Sequence, residues 1–190
     1  NVARKEFNMP GVCPVCGSPV KRDEDEAAYR CIGIDCPAML YRGIVHFTSR
    51  DAMNIDGMGP AVVNVLLENN LITSIADIYT LKDKKEKLLM IERMGEKSVE
   101  NMLNAIEKSK ENELYRLIFG LGIRHIGVKA SKLLTERFDD IDEISNASVE
   151  ELSEIGDFGL IMAQSVYDFF RTEQAMHIIS KLKEYGLNLK

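Results

Sequence analysis

The chain alternates short polar turns with stretches in which apolar residues recur every three or four positions. Two stretches show the spacing clearly: Val62, Val63, Leu66 and Leu67 in the first, and Val99, Met102, Leu103 and Ile106 in the second. This spacing places the apolar side chains on one face of an α-helix. The pattern therefore predicts amphipathic helices that pack on a common core.

A turn with a repeated pattern precedes these helices. It contains an apolar residue followed by glycine, and the pairs are Met58-Gly59, Met94-Gly95, Ile126-Gly127 and Phe158-Gly159. The glycines are 36, 32 and 32 residues apart, and a period of this size indicates a duplicated supersecondary unit. We interpret the unit as the helix-hairpin-helix motif, with turns near residues 55–60, 91–97, 123–129 and 155–161, numbered here hairpins 1 to 4.

The sequence also predicts where helices begin. Helices are expected over residues 99–109, 129–138 and 160–170, after hairpins 2, 3 and 4. Pro60 suits the first turn of the helix after hairpin 1. Ser148 and Glu151 have the spacing of a capping box, which predicts a short helix before hairpin 4.

The four cysteines lie within the first 36 residues and point to a metal. Cys13 and Cys16 are separated by two residues, and Cys31 and Cys36 by four. Such spacing lets two turns offer thiolates to the four corners of a tetrahedral Zn²⁺ site, which would be structural because no corner is left open. Two disulfides are the alternative interpretation. The acidic insert at residues 23–26 is expected to form a turn between short strands, and His46 lies beyond the complete ligand set.

The charge of the chain argues against a simple nucleic-acid binder. The net charge is −6, and residues 51–190 carry 17 Lys and Arg against 24 Asp and Glu. DNA-binding domains are usually basic, so binding here requires a local basic face or backbone amides, which net charge does not count. A protein-docking scaffold is the alternative. No apolar stretch is long enough for a membrane span.

The hairpins nevertheless have the features of phosphate sites. A helix N-terminus after a glycine turn presents N–H groups and the positive end of the helix dipole to an anion. Hairpin 1 alone has both glycines, because Arg93, His125 and Asp157 replace the first glycine in hairpins 2, 3 and 4. Asp157 makes hairpin 4 the doubtful one. The candidate phosphate-binding residues are Gly57, Met58, Gly59, Arg93, Gly95, Lys97, Arg124, His125, Gly127, Lys129, Lys132 and Gly159.

Longer motifs extend over nearly the whole chain, from about Pro10 onward. They include residues 46–59 (HFTSRDAMNIDGMG), Cys36-Pro37-Ala38, residues 95–98 (GEKS) and residues 121–127 (LGIRHIG). In these motifs the chain resembles the C-terminal part of bacterial NAD-dependent DNA ligase. It departs from the family pattern at Met39, where glutamine is expected, and at Arg93, where glycine is usual.

The resemblance implies a mainly α fold. A small four-cysteine zinc finger with short strands at residues 1–45 would precede a tandem helix-hairpin-helix domain with four motifs at residues 46–190. The zinc finger would be a structural joint. The hairpins would bind the minor-groove phosphates of nicked double-stranded DNA without reading sequence. Helix-hairpin-helix modules of other repair or recombination proteins are the alternative to a ligase.

The resemblance also implies a division of chemistry. In this family a separate adenylation domain with a Lys-x-Asp-Gly motif uses NAD to seal a 3′-hydroxyl to a 5′-phosphate in replication and repair. That motif does not occur in this sequence. The chain is therefore expected to be inactive alone and to bind Zn²⁺ but not NAD. It is expected to be a monomer that works with the other ligase domains in the bacterial cytoplasm, associated with the nucleoid.

Overall fold

The computed structural model describes residues 9–22, 28–31 and 36–190. The acidic insert expected to form a turn at residues 23–26 lies outside these residues. The chain divides into two compact units, the first ending at Arg42 and the second spanning Gly43–Lys190. Each unit is described by itself.

The first unit contains a small antiparallel sheet. Strand β1 (Val20–Arg22) pairs with strand β2 (Tyr29–Cys31), with Val20 opposite Cys31. Ahead of β1, the amide of Gly17 donates to the carbonyl of Cys13 at 2.9 Å, and the φ of Gly17 is 71°. This left-handed residue closes the turn between the first two cysteines, as glycine does readily. The predicted short strands are confirmed.

The second unit is built of helices. Their bounds are α1 (Pro37–Thr48, which begins in the first unit), α2 (Pro60–Glu68), a 3₁₀ helix (Ala76–Lys84), α3 (Lys85–Leu89), α4 (Glu96–Ser109), α5 (Leu114–Gly120), α6 (Val128–Arg137), α7 (Ile141–Asn146), α8 (Val149–Ser153), α9 (Leu160–Phe170) and α10 (Glu173–Glu184). Among the described residues, none of these helices is long and apolar enough to cross a membrane. The predicted mainly α architecture is confirmed.

Each hairpin turn leads directly into a helix. The glycine before α2, α4, α6 and α9 is the N-cap residue in every case. Helix α4 therefore begins three residues before its predicted start, because the helix follows the glycine without a gap. The residues four and seven positions after each glycine are buried: Val63 and Leu66, Val99 and Met102, Ser131 and Leu134, Ala163 and Val166. This shared spacing gives the four units one packing pattern.

Direct contacts join neighbouring hairpins. A Cβ on Gly57 of hairpin 1 would lie 3.2 Å from the Cβ of Met102 on α4, so hairpin 1 packs closely on the helix that follows hairpin 2. Lys129 of hairpin 3 forms an ion pair of 2.8 Å with Asp157 of hairpin 4. Hairpins 1 and 2 are thus neighbours, and so are hairpins 3 and 4.

Helix α5 and the residues just before it contact the start of the unit. The amide of Asn112 donates to the carbonyl of Met53 at 2.8 Å, and the guanidinium of Arg116 donates to the carbonyl of Arg50 at 3.0 Å. The ring Nε2 of His46 lies 2.7 Å from the carbonyl oxygen of Phe119. His46 therefore has a packing role, as expected for a histidine outside the ligand set.

At Gly120, the last residue of α5, the backbone lies very close to the side chains of Phe47 and Ala52. A Cβ there would lie 3.1 Å from the Phe47 ring and 3.4 Å from the Cβ of Ala52. Phe47 is fully buried and packs edge-on against Tyr79, so its ring has little room to move. This requirement could not be predicted from the sequence because it depends on residues distant in the chain.

We expect Gly120→Val to lower the free energy of unfolding by about 1–3 kcal/mol, the usual cost of overpacking a core. Urea unfolding followed by circular dichroism measures this. Gly43→Val is the matched control, since a Cβ on Gly43 meets nothing within 4 Å. Equal effects of the two substitutions would show that the contact with Phe47 is not tight.

Candidate metal centre and phosphate-binding hairpins

The structure brings the four cysteines together at one point. All four Sγ atoms lie within 4.8 Å of one another. The Sγ–Sγ distance is 3.9 Å between Cys13 and Cys36 and 3.4 Å between Cys16 and Cys31. A tetrahedral zinc site with Zn–S bonds of about 2.3 Å has sulfur atoms about 3.8 Å apart. The cluster therefore fits one Zn²⁺, and the four cysteines are not joined in disulfides.

Hydrogen bonds to the sulfur atoms favour the ligand form of two cysteines. The backbone amides of Cys16 and Val15 donate to Cys13 and lower the pKa of its thiol. The hydroxyl and amide of Ser18 lower the pKa of Cys16 to about 6. Zinc binds the thiolate, so this turn prepares both ligands for a metal near neutral pH.

The four hairpins share one turn. In each, the amide of the apolar residue before the second glycine donates to the carbonyl of an isoleucine three residues earlier. The bonds run from Met58 to Ile55 at 3.3 Å, Met94 to Ile91 at 3.1 Å, Ile126 to Ile123 at 3.1 Å and Phe158 to Ile155 at 3.0 Å. Met58, Ile126 and Phe158 are buried, and Met94 is partly exposed. The repeat seen in the sequence is thus a repeat of backbone geometry.

The first hairpin position is left-handed in all four turns. The φ angles are 87° at Gly57, 70° at Arg93, 62° at His125 and 63° at Asp157. Side chains rarely adopt this region, so glycine is the least strained residue there. The replacement of glycine by Arg93 therefore does not change the course of the chain in hairpin 2.

The turn itself does not need the second hairpin glycines. Their φ angles are −71° at Gly59, −73° at Gly95, −89° at Gly127 and −72° at Gly159, which any residue adopts. A Cβ at any of them would meet nothing within 4 Å. Neither backbone strain nor internal packing requires glycine here. The space beside each glycine is open to an external group.

The helices after the hairpins also begin without a side-chain cap. No side chain caps α2, α4, α6 or α9. Helices α3 and α5 also lack a side-chain cap. In contrast, α7, α8 and α10 are capped by Asp140, Ser148 and Thr172, and the predicted capping box of Ser148 and Glu151 is present. The first amides of a helix have no partner within it. The four hairpins thus present amides and a positive helix end that an anion can reach.

Basic side chains surround hairpins 2 and 3. Arg93 and Lys97 are exposed on hairpin 2, and Arg124 and His125 are exposed on hairpin 3. The ammonium of Lys132 lies 4.9 Å from the ring centroid of Tyr115, a cation–π contact that orients it. Hairpin 1 offers only its backbone near Gly57, Met58 and Gly59. The positive charge is therefore concentrated in the middle of the repeat.

Lys129 is less available to bind phosphate than the sequence indicated. Its ammonium pairs with the carboxylate of Asp157, and each group shifts the other: the pKa of Lys129 is raised and the pKa of Asp157 is lowered, mainly by this hydrogen bond. Both side chains are more than 70% exposed, so the pair contributes little to stability. Sequence spacing alone could not reveal this contact, because 28 residues separate the partners.

Comparisons with known families agree with this architecture. Residues 12–38 match the NAD-dependent DNA ligase C4 zinc finger domain. Residues 49–108 match the SAM-like helix-hairpin-helix tandem, and residues 116–179 match the helix-hairpin-helix motif.

Three curated relatives give the same result over almost the full chain. The DNA ligase of Acetivibrio thermocellus is 60% identical over 96% of this chain, that of Clostridioides difficile 52% over 97%, and that of Bacillus subtilis 48% over 97%. The chain spans only 27–28% of the length of these ligases. It is therefore the counterpart of the zinc-finger and helix-hairpin-helix part of the NAD-dependent DNA ligases.

Proposed function

We propose that the chain is the part of an NAD-dependent DNA ligase that holds nicked double-stranded DNA for sealing in replication and repair. The observation that carries this proposal is the set of open helix ends: four glycines that neither strain nor packing requires, each at the start of an uncapped helix. A phosphate fits such a site because it accepts from the amides and is attracted by the helix dipole.

The arrangement explains how an acidic domain binds DNA. Backbone amides contribute at every hairpin and carry no formal charge, while Arg93, Lys97 and Arg124 add positive charge at hairpins 2 and 3. Contacts of this kind go to the phosphates and do not read bases. We infer that the hairpins contact phosphates along the minor groove of both strands and that binding is independent of sequence.

The zinc finger and the hairpin domain have separate tasks in this proposal. The finger, within residues 1–45, takes its shape from Zn²⁺ held by Cys13, Cys16, Cys31 and Cys36, since a closed site supplies folding energy rather than catalysis. Residues 46–190 bind the duplex as a monomer. The adenylation chemistry that uses NAD belongs to the remaining ligase domains, so this chain alone would neither bind NAD nor join DNA.

A salt series tests the proposal. Fluorescence anisotropy of the full chain is measured with nicked, intact and single-stranded oligonucleotides at increasing salt. The logarithm of the binding constant should fall with the logarithm of salt concentration, with a slope of about 0.9 per neutralised phosphate. Nicked duplex should bind most tightly. Failure to bind any duplex at low salt would rule out an autonomous DNA-binding surface and favour a docking scaffold.

The ion pair between Lys129 and Asp157 predicts that Lys97 and Lys129 contribute differently to DNA binding. We expect Lys97→Ala to reduce the magnitude of the salt slope by about 0.9 on every duplex sequence, because one phosphate partner is lost. Lys129→Ala should reduce it less, because Asp157 already neutralises part of that charge. The same anisotropy series gives both slopes. A loss that depended on the base sequence would contradict phosphate contacts.

A further inference from the structure

Hairpin 4 exposes two large apolar side chains at its tip. Leu160 and Ile161, the first residues of α9, are 68% and 60% exposed. Leu160 lies three residues before Ala163 and so continues the buried stripe of Ala163, Val166 and Phe170 beyond the edge of the core. Single exposed apolar residues are common on proteins. Here, however, two exposed apolar residues are adjacent, and they can be compared with the residues at the equivalent positions of the other three hairpins.

The repeat shows that hairpin 4 differs chemically from its neighbours. The second helical residue after the hairpin glycine is Ala61, Lys97, Lys129 and Ile161 in hairpins 1 to 4. Isoleucine thus stands where hairpins 2 and 3 carry lysine. Residues 155–161 contain no basic residue, and their charged residue is Asp157. Hairpin 4 is therefore poorly suited to bind phosphate through side-chain charge.

The tip of hairpin 4 nevertheless lies beside the tip of hairpin 3. Asp157 and Lys129 are joined at 2.8 Å, and both belong to the turns themselves. The backbone of hairpin 4 repeats the turn of hairpin 3, with an open glycine at Gly159. Leu160 and Ile161 therefore extend the surface that includes Gly127 and Lys129, which under the proposed function faces the duplex.

We propose that Leu160 and Ile161 pack against the deoxyribose edges of the minor groove, so that hairpin 4 binds DNA through apolar contact. Sugar C–H groups line this groove between the phosphates, and proteins that bind it use apolar side chains there. This inference rests on the proposed function and assigns its fourth hairpin a contact type of its own. Apolar burial releases no counterions, so its contribution is independent of salt.

The test compares the double variant Leu160→Ala/Ile161→Ala with the wild-type chain on a nicked duplex. The binding constant should fall by about tenfold at every salt concentration, a loss consistent with removing two half-buried aliphatic side chains, while the slope stays unchanged. Met176→Ala is the matched control, because Met176 is 54% exposed on α10 and lines a surface groove with Phe170 and Arg171, at the opposite end of α9 from Leu160. It should bind DNA like the wild type.

A second variant, Ile161→Lys, gives an independent readout. It places at hairpin 4 the residue type of hairpins 2 and 3, and it should make the salt slope steeper by about 0.9 if this position faces a phosphate-lined groove. An unchanged slope would overturn the inference. So would wild-type affinity in the double variant, which would leave the proposed function intact. Absence of salt-dependent binding in the wild-type chain itself would instead refute the proposed function.

Discussion

A Cys31→Ser variant is expected to lose bound zinc and the fold of the first unit, while the helices of Gly43–Lys190 persist. A serine hydroxyl is a much weaker zinc ligand than a thiolate, and structural Zn²⁺ contributes about 10–16 kcal/mol to small zinc-binding folds. Among the described residues of the first unit, the regular structure ahead of α1 is a sheet of two strands with three residues each, which holds little without the metal. The second unit has its own apolar core.

Zinc content by atomic absorption and helix content by circular dichroism measure the two parts of this expectation. Val15→Ser is the matched control, because Val15 lies between the first two cysteines, is 57% exposed and leaves all four thiols in place. It should retain one zinc per chain. A chelator should reproduce the effect of Cys31→Ser on the wild-type chain. Loss of most of the helix signal in either case would contradict the independence of the second unit.

Gly127→Glu is expected to weaken DNA binding by at least tenfold without unfolding the protein. A Cβ at Gly127 meets no neighbour, and the φ of −89° suits any residue, so the stability should change by no more than about 0.5 kcal/mol. The carboxylate would, however, occupy the space in front of the amides of α6 and repel a phosphate. A loss of 1.4 kcal/mol in binding corresponds to tenfold.

Anisotropy with nicked duplex and thermal melting should be measured together for this variant. Ser180→Glu adds the same charge at an exposed position on α10 and controls for the change in net charge. The control should lose far less affinity than Gly127→Glu. Equal losses in the two variants would mean that the open glycine of hairpin 3 is not a contact site.

Local sequence signals predicted the features that depend on neighbouring residues. The apolar spacing and the glycine period predicted the four hairpins, and the capping box predicted α8, because each depends on residues within a few positions of one another. The cysteine spacing predicted a cluster that the structure assembles. These patterns are strong because helix periodicity, capping and tight turns are set by short-range geometry.

Features set by distant residues could not be predicted in this way. Gly120 gave no local signal, since its constraint comes from Phe47 across the fold. The pairing of Lys129 with Asp157 joins two repeats, so each residue alone suggested a different role. The exposure of Leu160 could not be predicted, because its spacing from Ala163 is that of a buried residue. The structure shows that Leu160 lies beyond the edge of the core.

The four turns share one backbone conformation but carry four different residues at the first hairpin position. The chemistry of the second unit therefore differs from one end of the repeat to the other. The residues at this position along the repeat are Gly57, Arg93, His125 and Asp157, so a cationic side chain stands in hairpin 2 and an anionic one in hairpin 4. A DNA duplex presents nearly the same phosphate backbone when it is turned end for end, so hairpins of identical chemistry would offer little basis for choosing between its two orientations. Unequal hairpins remove that degeneracy. A nick has distinct 3′ and 5′ sides, and under the proposed function this polarity of the surface would distinguish one side from the other.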